Sequence, residues 1–143
     1  AMNLVIVGKK GWLVDDLVMR LQQHSEQGKQ LFWLQGVSDE YLERIYAGCT
    51  ALIAASEGEG FGLPIIEAAQ HGLPVVLRDI PVFREVAGEA GFYFPAHSAE
   101  DTAQCLKNWL ALYQAGTHPK SQGLAYQSWE QSVQQIRGVL ALP

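Results

Sequence analysis

Three carboxylates and three glycines fall within twelve residues of this chain, in the stretch Ser56-Glu57-Gly58-Glu59-Gly60-Phe61-Gly62-Leu63-Pro64-Ile65-Ile66-Glu67. Backbone without a Cβ can approach a ligand closely. A helix that begins just after such a turn offers free N–H groups and the positive end of its macrodipole, and so makes an anion site, with phosphate the expected anion. The carboxylates need a separate reason, because a site built only for phosphate gains nothing from neighbouring acids. Carboxylates accept hydrogen bonds from hydroxyls, and sugars are rich in hydroxyls. A ligand carrying both a phosphate and a sugar meets both features. The alternative is a strand-to-helix turn whose glutamates are solvated or cap the helix, since a lone glycine-rich turn is a weak signal.

Such a turn needs a strand to deliver it and a helix to receive it. The apolar run Ala51-Leu52-Ile53-Ala54-Ala55 supplies the strand. Residues 65–71 read as the helix, with Pro64 in its first turn, where a missing N–H costs nothing, and Gly72 placed to end it. Upstream, residues 3–8 form a β-branched apolar run stopped by glycine, which reads as a buried parallel strand. Lys9-Lys10-Gly11-Trp12 then turns the chain; its lysines sit where open α/β sheets bind ligands, or simply in a solvated loop. Residues 14–24 follow a helical period, with Leu17, Val18 and Leu21 on one face. Leu31-Phe32-Trp33-Leu34 is the second strand. Ser38 or Asp39 caps the next helix, whose inner face holds Tyr41, Leu42, Ile45 and Tyr46, with Tyr46 read as core. Beyond Gly72 come a strand over 74–77, a loop over 78–81, a short helix over 82–87 and a strand over 91–95. A helix from Ser98 to about Tyr113 presents Ala103, Leu106, Leu110 and Tyr113, and a last one over 124–140 aligns Trp129, Val133, Ile136 and Leu140. Strands alternating with helices at this pace predict an α/β domain with a parallel sheet flanked by helices.

Composition narrows the function. The chain has 143 residues, which predicts one domain over 1–143, and it is 48% apolar and 17% charged, enough to bury a normal core. Ten Lys+Arg against fifteen Asp+Glu give a net charge of −5, which argues against a nucleic-acid partner. No apolar run approaches the roughly 18–20 residues of a membrane span, and the start lacks the basic segment of a signal peptide. Cys49 and Cys105 are expected to be reduced thiols. The four histidines show no metal-ligand spacing with Cys, Asp or Glu, and no activated-nucleophile or Walker-type motif is present.

The residues Glu59-Gly60-Phe61-Gly62-Leu63-Pro64, then Glu67-Ala68, then Gly72-Leu73-Pro74-Val75-Val76 resemble the signature of retaining GT-B glycosyltransferases, family 4 or glycosyl transferases group 1, whose mark is two glutamates separated by seven residues. Ser38-Asp39-Glu40-Tyr41-Leu42 with Tyr46, the run Pro81-Val82-Phe83-Arg84-Glu85-Val86-Ala87-Gly88, and Ser128-Trp129-Glu130-Gln131-Ser132 extend the resemblance over most of the chain. The segment 4–12 is similar to bacterial polysaccharide mannosyltransferases. The resemblance implies a Rossmann-like fold, the donor-binding C-terminal half of a GT-B enzyme, with residues 124–141 as the closing helix.

The resemblance also implies roles. Glu67 would accept hydrogen bonds from the nucleotide ribose. The backbone N–H groups of Gly60, Phe61, Gly62 and Leu63 would face the diphosphate and donor sugar. Glu59 would be the candidate catalytic residue, contacting and orienting the transferred sugar, and Gly36, Val37 and Ser38 would lie near the base. The donor would be a nucleotide-diphosphate sugar, GDP-mannose being the example at hand, with no metal or other cofactor. The acceptor, a glycan or a lipid-linked glycan, would be bound by an N-terminal domain that is not visible in this sequence. Transfer would retain configuration, the departing phosphate oxygen assisting the acceptor without a protein nucleophile. The family's first strand-helix unit, whose loop clamps the diphosphate with Arg and Lys, is also not found, so the fragment alone is expected to be inactive. A sheet lacking that strand would leave edges open, for rearrangement or for a second copy to fill. The location would be cytoplasmic or peripheral at the inner face of the membrane. A non-catalytic nucleotide-sugar-binding or interaction module is the alternative.

Overall fold

The computed structural model describes residues 2–12, 14–95 and 97–140. Strands β1 (Leu4–Val7), β2 (Leu31–Leu34), β3 (Leu52–Ala54), β4 (Val75–Arg78) and β5 (Gly91–Phe94) alternate with helices α1 (Asp15–Gln22), α2 (Asp39–Gly48), α3 (Leu63–Gln70), α4 (Pro81–Ala87) and α5 (Ala99–Gln114), and α6 (Trp129–Val139) ends the chain. Every strand pair is parallel. The expected alternation is therefore present, but the strands form two sheets: β1-β2, and β3-β4-β5. The chain divides accordingly into two compact units, residues 1–45 and 46–143, with the division falling inside α2. The far ends of the expected single domain, and residue 141 of the expected last helix, lie outside the described residues.

In the first unit β1 and β2 run in register, with Leu4 opposite Leu31 and Val7 opposite Leu34. The Trp33 indole donates to the Gly8 carbonyl at 2.9 Å and ties the end of β1 to its neighbour. Contrary to expectation, β1 is not buried: Leu4 is 46% exposed and Val7 36%. Within its own sheet of described residues it pairs on one side, with β2, and α1 carries no buried residue to cover it. Leu17, expected on the inner face of α1, is 50% exposed. Lys10 of the following turn pairs with Asp15 at the start of α1.

The second unit holds the core. β4 is the middle strand, and Val75, Val76 and Leu77 are almost fully buried, the pattern of a strand covered on both faces. Val76 joins Phe94 and Trp109 in one cluster, lined by Ala51, Phe92, Cys105, Leu106 and Leu110. Val75 and Leu77 alternate to the other face. α3 packs against β3 and β4, and α5 against β5. The inner face of α5 is rotated from the sequence expectation. Trp109 is its buried residue, whereas Ala103 and Tyr113 are exposed. The bulkiest apolar side chain takes the place facing the sheet, because it removes the most surface from water. The last helix is shorter than expected, and its stripe faces solvent: Trp129, Val133, Ile136 and Leu140 are all more than half exposed. Both cysteines are free and half-buried, and burial raises the Cys49 thiol above its usual value.

Candidate functional site

The glycine-rich turn joins β3 to α3, and the physics of its end is set by Gly62. Gly62 is the residue before the helix, with φ at +89°, and no side chain caps the helix start. A Cβ there would stand 3.1 Å from Cε1 of Phe83 and 3.3 Å from Cδ1 of Ile65. Two constraints thus demand glycine: a left-handed backbone and close packing on the core. Gly58 and Gly60 differ. Neither has a positive φ, and a Cβ on either would meet open space. The fold does not need their bareness. Pro64 sits in the first turn of α3, as expected, and that turn contains no acid to offset the positive end of the helix.

The two glutamates are held by different neighbours. Ser56 donates from its hydroxyl to Oε1 of Glu59 at 2.7 Å, bracing an otherwise exposed carboxylate across the turn. Glu67, one turn into α3, is half-buried, and Oε2 accepts a hydrogen bond from the Tyr46 hydroxyl at 2.8 Å. Tyr46 is buried, as expected of a core residue, and its ring stacks on His71, with centroids 5.4 Å apart and planes inclined by 17°. A cation stands beside the turn as well. Arg78, expected in a loop, is the last residue of β4, and its Nη1 lies 3.4 Å from Oε1 of Glu57. Asp79 and Arg84 form a two-pronged pair at 2.7 and 2.8 Å, with Arg84 stacked over the Tyr93 ring. That guanidinium holds the Asp79 carboxyl below the usual range.

The second unit therefore brings Glu59, Gly60, Phe61, Gly62, Leu63 and Glu67 together at one turn and the helix it feeds. Val37 and Ser38 belong to the first unit. There Gly36 turns the chain with φ at +66°, Val37 is half-buried, and the Ser38 side chain accepts from the Tyr41 N–H at 3.3 Å, the predicted cap of α2. The sequence alone points to no role for Ser56 or Arg78, and it favours core over ligand for Tyr46. The Ser-x-x-Glu spacing of Ser56 and Glu59 is a usable signal, because it brings the two side chains within reach of each other across a single turn of chain. Tyr46 carried none, since a tyrosine on an apolar helix face reads as packing.

A parallel α/β domain with a bare turn at an uncapped helix N-terminus and acids on both sides belongs with proteins that bind a ligand at the carboxyl ends of their strands. The comparison with known proteins is specific: the chain belongs to the Glycosyl transferases group 1 family, whose model matches residues 1–124. It is 52% identical over 132 residues to the serotype-specific mannosyltransferase WbdA of Escherichia coli, an alignment covering 92% of this chain and 16% of that protein. The chain thus spans about a sixth of the relative's length. Its fold matches the UDP complex of HepE from Anabaena with a TM-score of 0.76 at 23% identity, over 98% of this chain and 41% of the other. It also matches the pneumococcal O-GlcNAc transferase GtfA, solved with UDP and GlcNAc, with a TM-score of 0.58 at 26% identity, over 80% and 23%. The expected GT-B architecture stands on these neighbours. Among the described residues, no helix is long and apolar enough to cross a membrane.

Proposed function

We propose that this chain is the donor-binding part of a retaining glycosyltransferase that moves a hexose, mannose from GDP-mannose being the leading case, to a glycan or lipid-linked acceptor. The observation that carries the reading is the uncapped start of α3 beneath the open turn at Gly58 and Gly60, with a carboxylate on either side. Backbone N–H groups from Gly60 to Leu63 receive the diphosphate, where the helix end stabilises the charge that builds on the leaving group. Glu67 accepts from the ribose hydroxyls. Glu59, braced by Ser56, orients the transferred sugar. The departing phosphate oxygen assists the acceptor on the same face, so the protein acts by positioning. WbdA, named a mannosyltransferase, supports the choice of sugar. The solved complex of GtfA with UDP and GlcNAc supports a nucleotide-linked donor.

On this reading the acceptor site lies in another part of the full-length protein, and this segment alone transfers nothing. The free edges of β1 and β3 in their own sheets are places for a further strand, from elsewhere in the protein or from a second copy. The test is calorimetric titration of the full-length protein with GDP, UDP and ADP, together with a transfer assay. One nucleotide binds. Glu67→Ala weakens that binding by roughly tenfold, the scale of a lost charged hydrogen bond. Glu59→Ala leaves binding within about twofold and lowers kcat by on the order of a hundredfold, the pattern of an interaction made in the transition state. Binding without any transfer would instead mark a non-catalytic module, and normal turnover by both variants would remove the residue assignments.

A further inference from the structure

The geometry points to Tyr46 as a positioning residue: its hydroxyl fixes the rotamer of Glu67 so that the free carboxylate oxygen is presented to the ribose. The inference rests on the reading of Glu67 given above. Three observations carry it. The Tyr46 hydroxyl donates to Oε2 of Glu67 at 2.8 Å, which occupies one oxygen and leaves Oε1 as an acceptor. Tyr46 is 8% exposed, so its ring does not swing with solvent. His71 stands one helical turn beyond Glu67, on the same face of α3, and stacks on that ring at 5.4 Å. A single tyrosine from α2 is thus clamped by the ring of His71 at the end of α3 and in turn clamps Glu67 within that helix.

A buried tyrosine needs a partner for its hydroxyl, and any acceptor would serve for packing alone. Here the partner is a half-buried glutamate on the helix that receives the glycine-rich turn. An unrestrained glutamate samples several rotamers and must lose that freedom when a diol binds. Tyr46 removes much of that freedom before the ligand arrives, so the cost is met in folding and not in binding. Loss of the hydroxyl is therefore expected to weaken ribose recognition without touching the chemical step.

The experiment uses the full-length protein and whichever of GDP, UDP and ADP binds most tightly, beside the 2′,3′-dideoxy form of the same nucleotide. Tyr46→Phe keeps the ring and its stacking on His71 and removes only the hydroxyl. It is expected to weaken the ribonucleotide by roughly three- to tenfold, as loss of one hydrogen bond to a charged group does. Affinity for the dideoxy form stays unchanged, because that ligand has no diol for Glu67 to accept from. KM for the nucleotide sugar rises by the same factor while kcat stays within about twofold. In a Glu67→Ala background, Tyr46→Phe adds nothing, the mark of two residues acting as a unit. Equal weakening of both nucleotides, or additive effects in the double variant, would reduce Tyr46 to a packing role and overturn the inference. If Glu67→Ala collapses the preference for the ribonucleotide and Tyr46→Phe does not, the inference about Tyr46 falls alone. If Glu67→Ala leaves that preference intact, or no nucleotide binds, the ribose reading fails and the inference fails with it.

Discussion

At Gly62 the turn meets the core, and two demands on one residue can be separated by substitution. Gly62→Ala places a side chain on backbone at φ +89° and drives its Cβ to 3.1 Å from the Phe83 ring. The left-handed conformation alone costs an alanine about 1–2 kcal/mol, and the crowding against a buried phenyl adds to that. Equilibrium urea unfolding is expected to show a loss of about 2 kcal/mol for Gly62→Ala. Gly60→Ala meets neither penalty, so its stability is expected to stay within about 0.5 kcal/mol of the parent, as for an unconstrained surface position. On the proposed function its nucleotide affinity is expected to fall all the same, because the methyl would fill the space proposed for the diphosphate. Equal loss of stability at both positions would mean that the turn is shaped by the fold alone. The glycines themselves were legible in the sequence. Which of them the core requires was not, because that depends on Phe83, more than twenty residues away, folding back against the turn.

Element ends were the most readable feature of this chain. Ser38 caps α2 and Ser98 caps α5, each accepting from the backbone N–H three residues on, at 3.3 and 3.0 Å. The start of α6 is the exception: Ser128 completes a reciprocal capping box with Gln131, four residues beyond the expected start at residue 124. Such ends are local chemistry: a short hydroxyl side chain satisfies an orphan donor wherever the rest of the fold goes. Ser98→Ala is expected to cost about 1 kcal/mol, and Ser98→Asp to restore most of it, since an aspartate also accepts from the helix start. Thermal melts followed by circular dichroism read both; an unchanged melting temperature for Ser98→Ala would show that the cap carries no weight. Helix faces were less readable. The spacing of Ala103, Leu106, Leu110 and Tyr113 fits a helical stripe as well as the observed one does. Trp109, packed with Val76 and Phe94, decides the rotation. Periodicity fixes that a face exists, and the shape of the opposing sheet fixes which one.

The two units differ in how much they bury. Among the described residues, Leu31 is the buried apolar residue of the first, whereas the second holds Tyr46, Ile65, Ile66, Val75, Val76, Leu77, Phe83, Phe94 and Trp109. Local opening is easiest where few apolar contacts are lost. Amide hydrogen exchange of this chain is therefore expected to be faster in Leu4–Val7 and Leu31–Leu34 than in Val75–Arg78, by at least about tenfold. Uniform protection across all strands would show that the units open as one.

The alternation of parallel strands and helices, the strand-turn-helix around Glu59 and Glu67, the caps of α2 and α5, and the family were legible in the order of the residues. Each rests on local pattern: apolar runs, helical spacing, hydroxyls and glycines at fixed offsets. That the strands form two sheets, that β1 stays half-exposed, that Trp109 is the buried residue of α5, and that Tyr46 reaches Glu67 emerge once the chain is folded. Those depend on which distant surfaces meet. Tyr46 and Glu67 are 21 residues apart, and their hydrogen bond exists because the chain runs from Tyr46 through β3 and the glycine-rich turn and returns in α3.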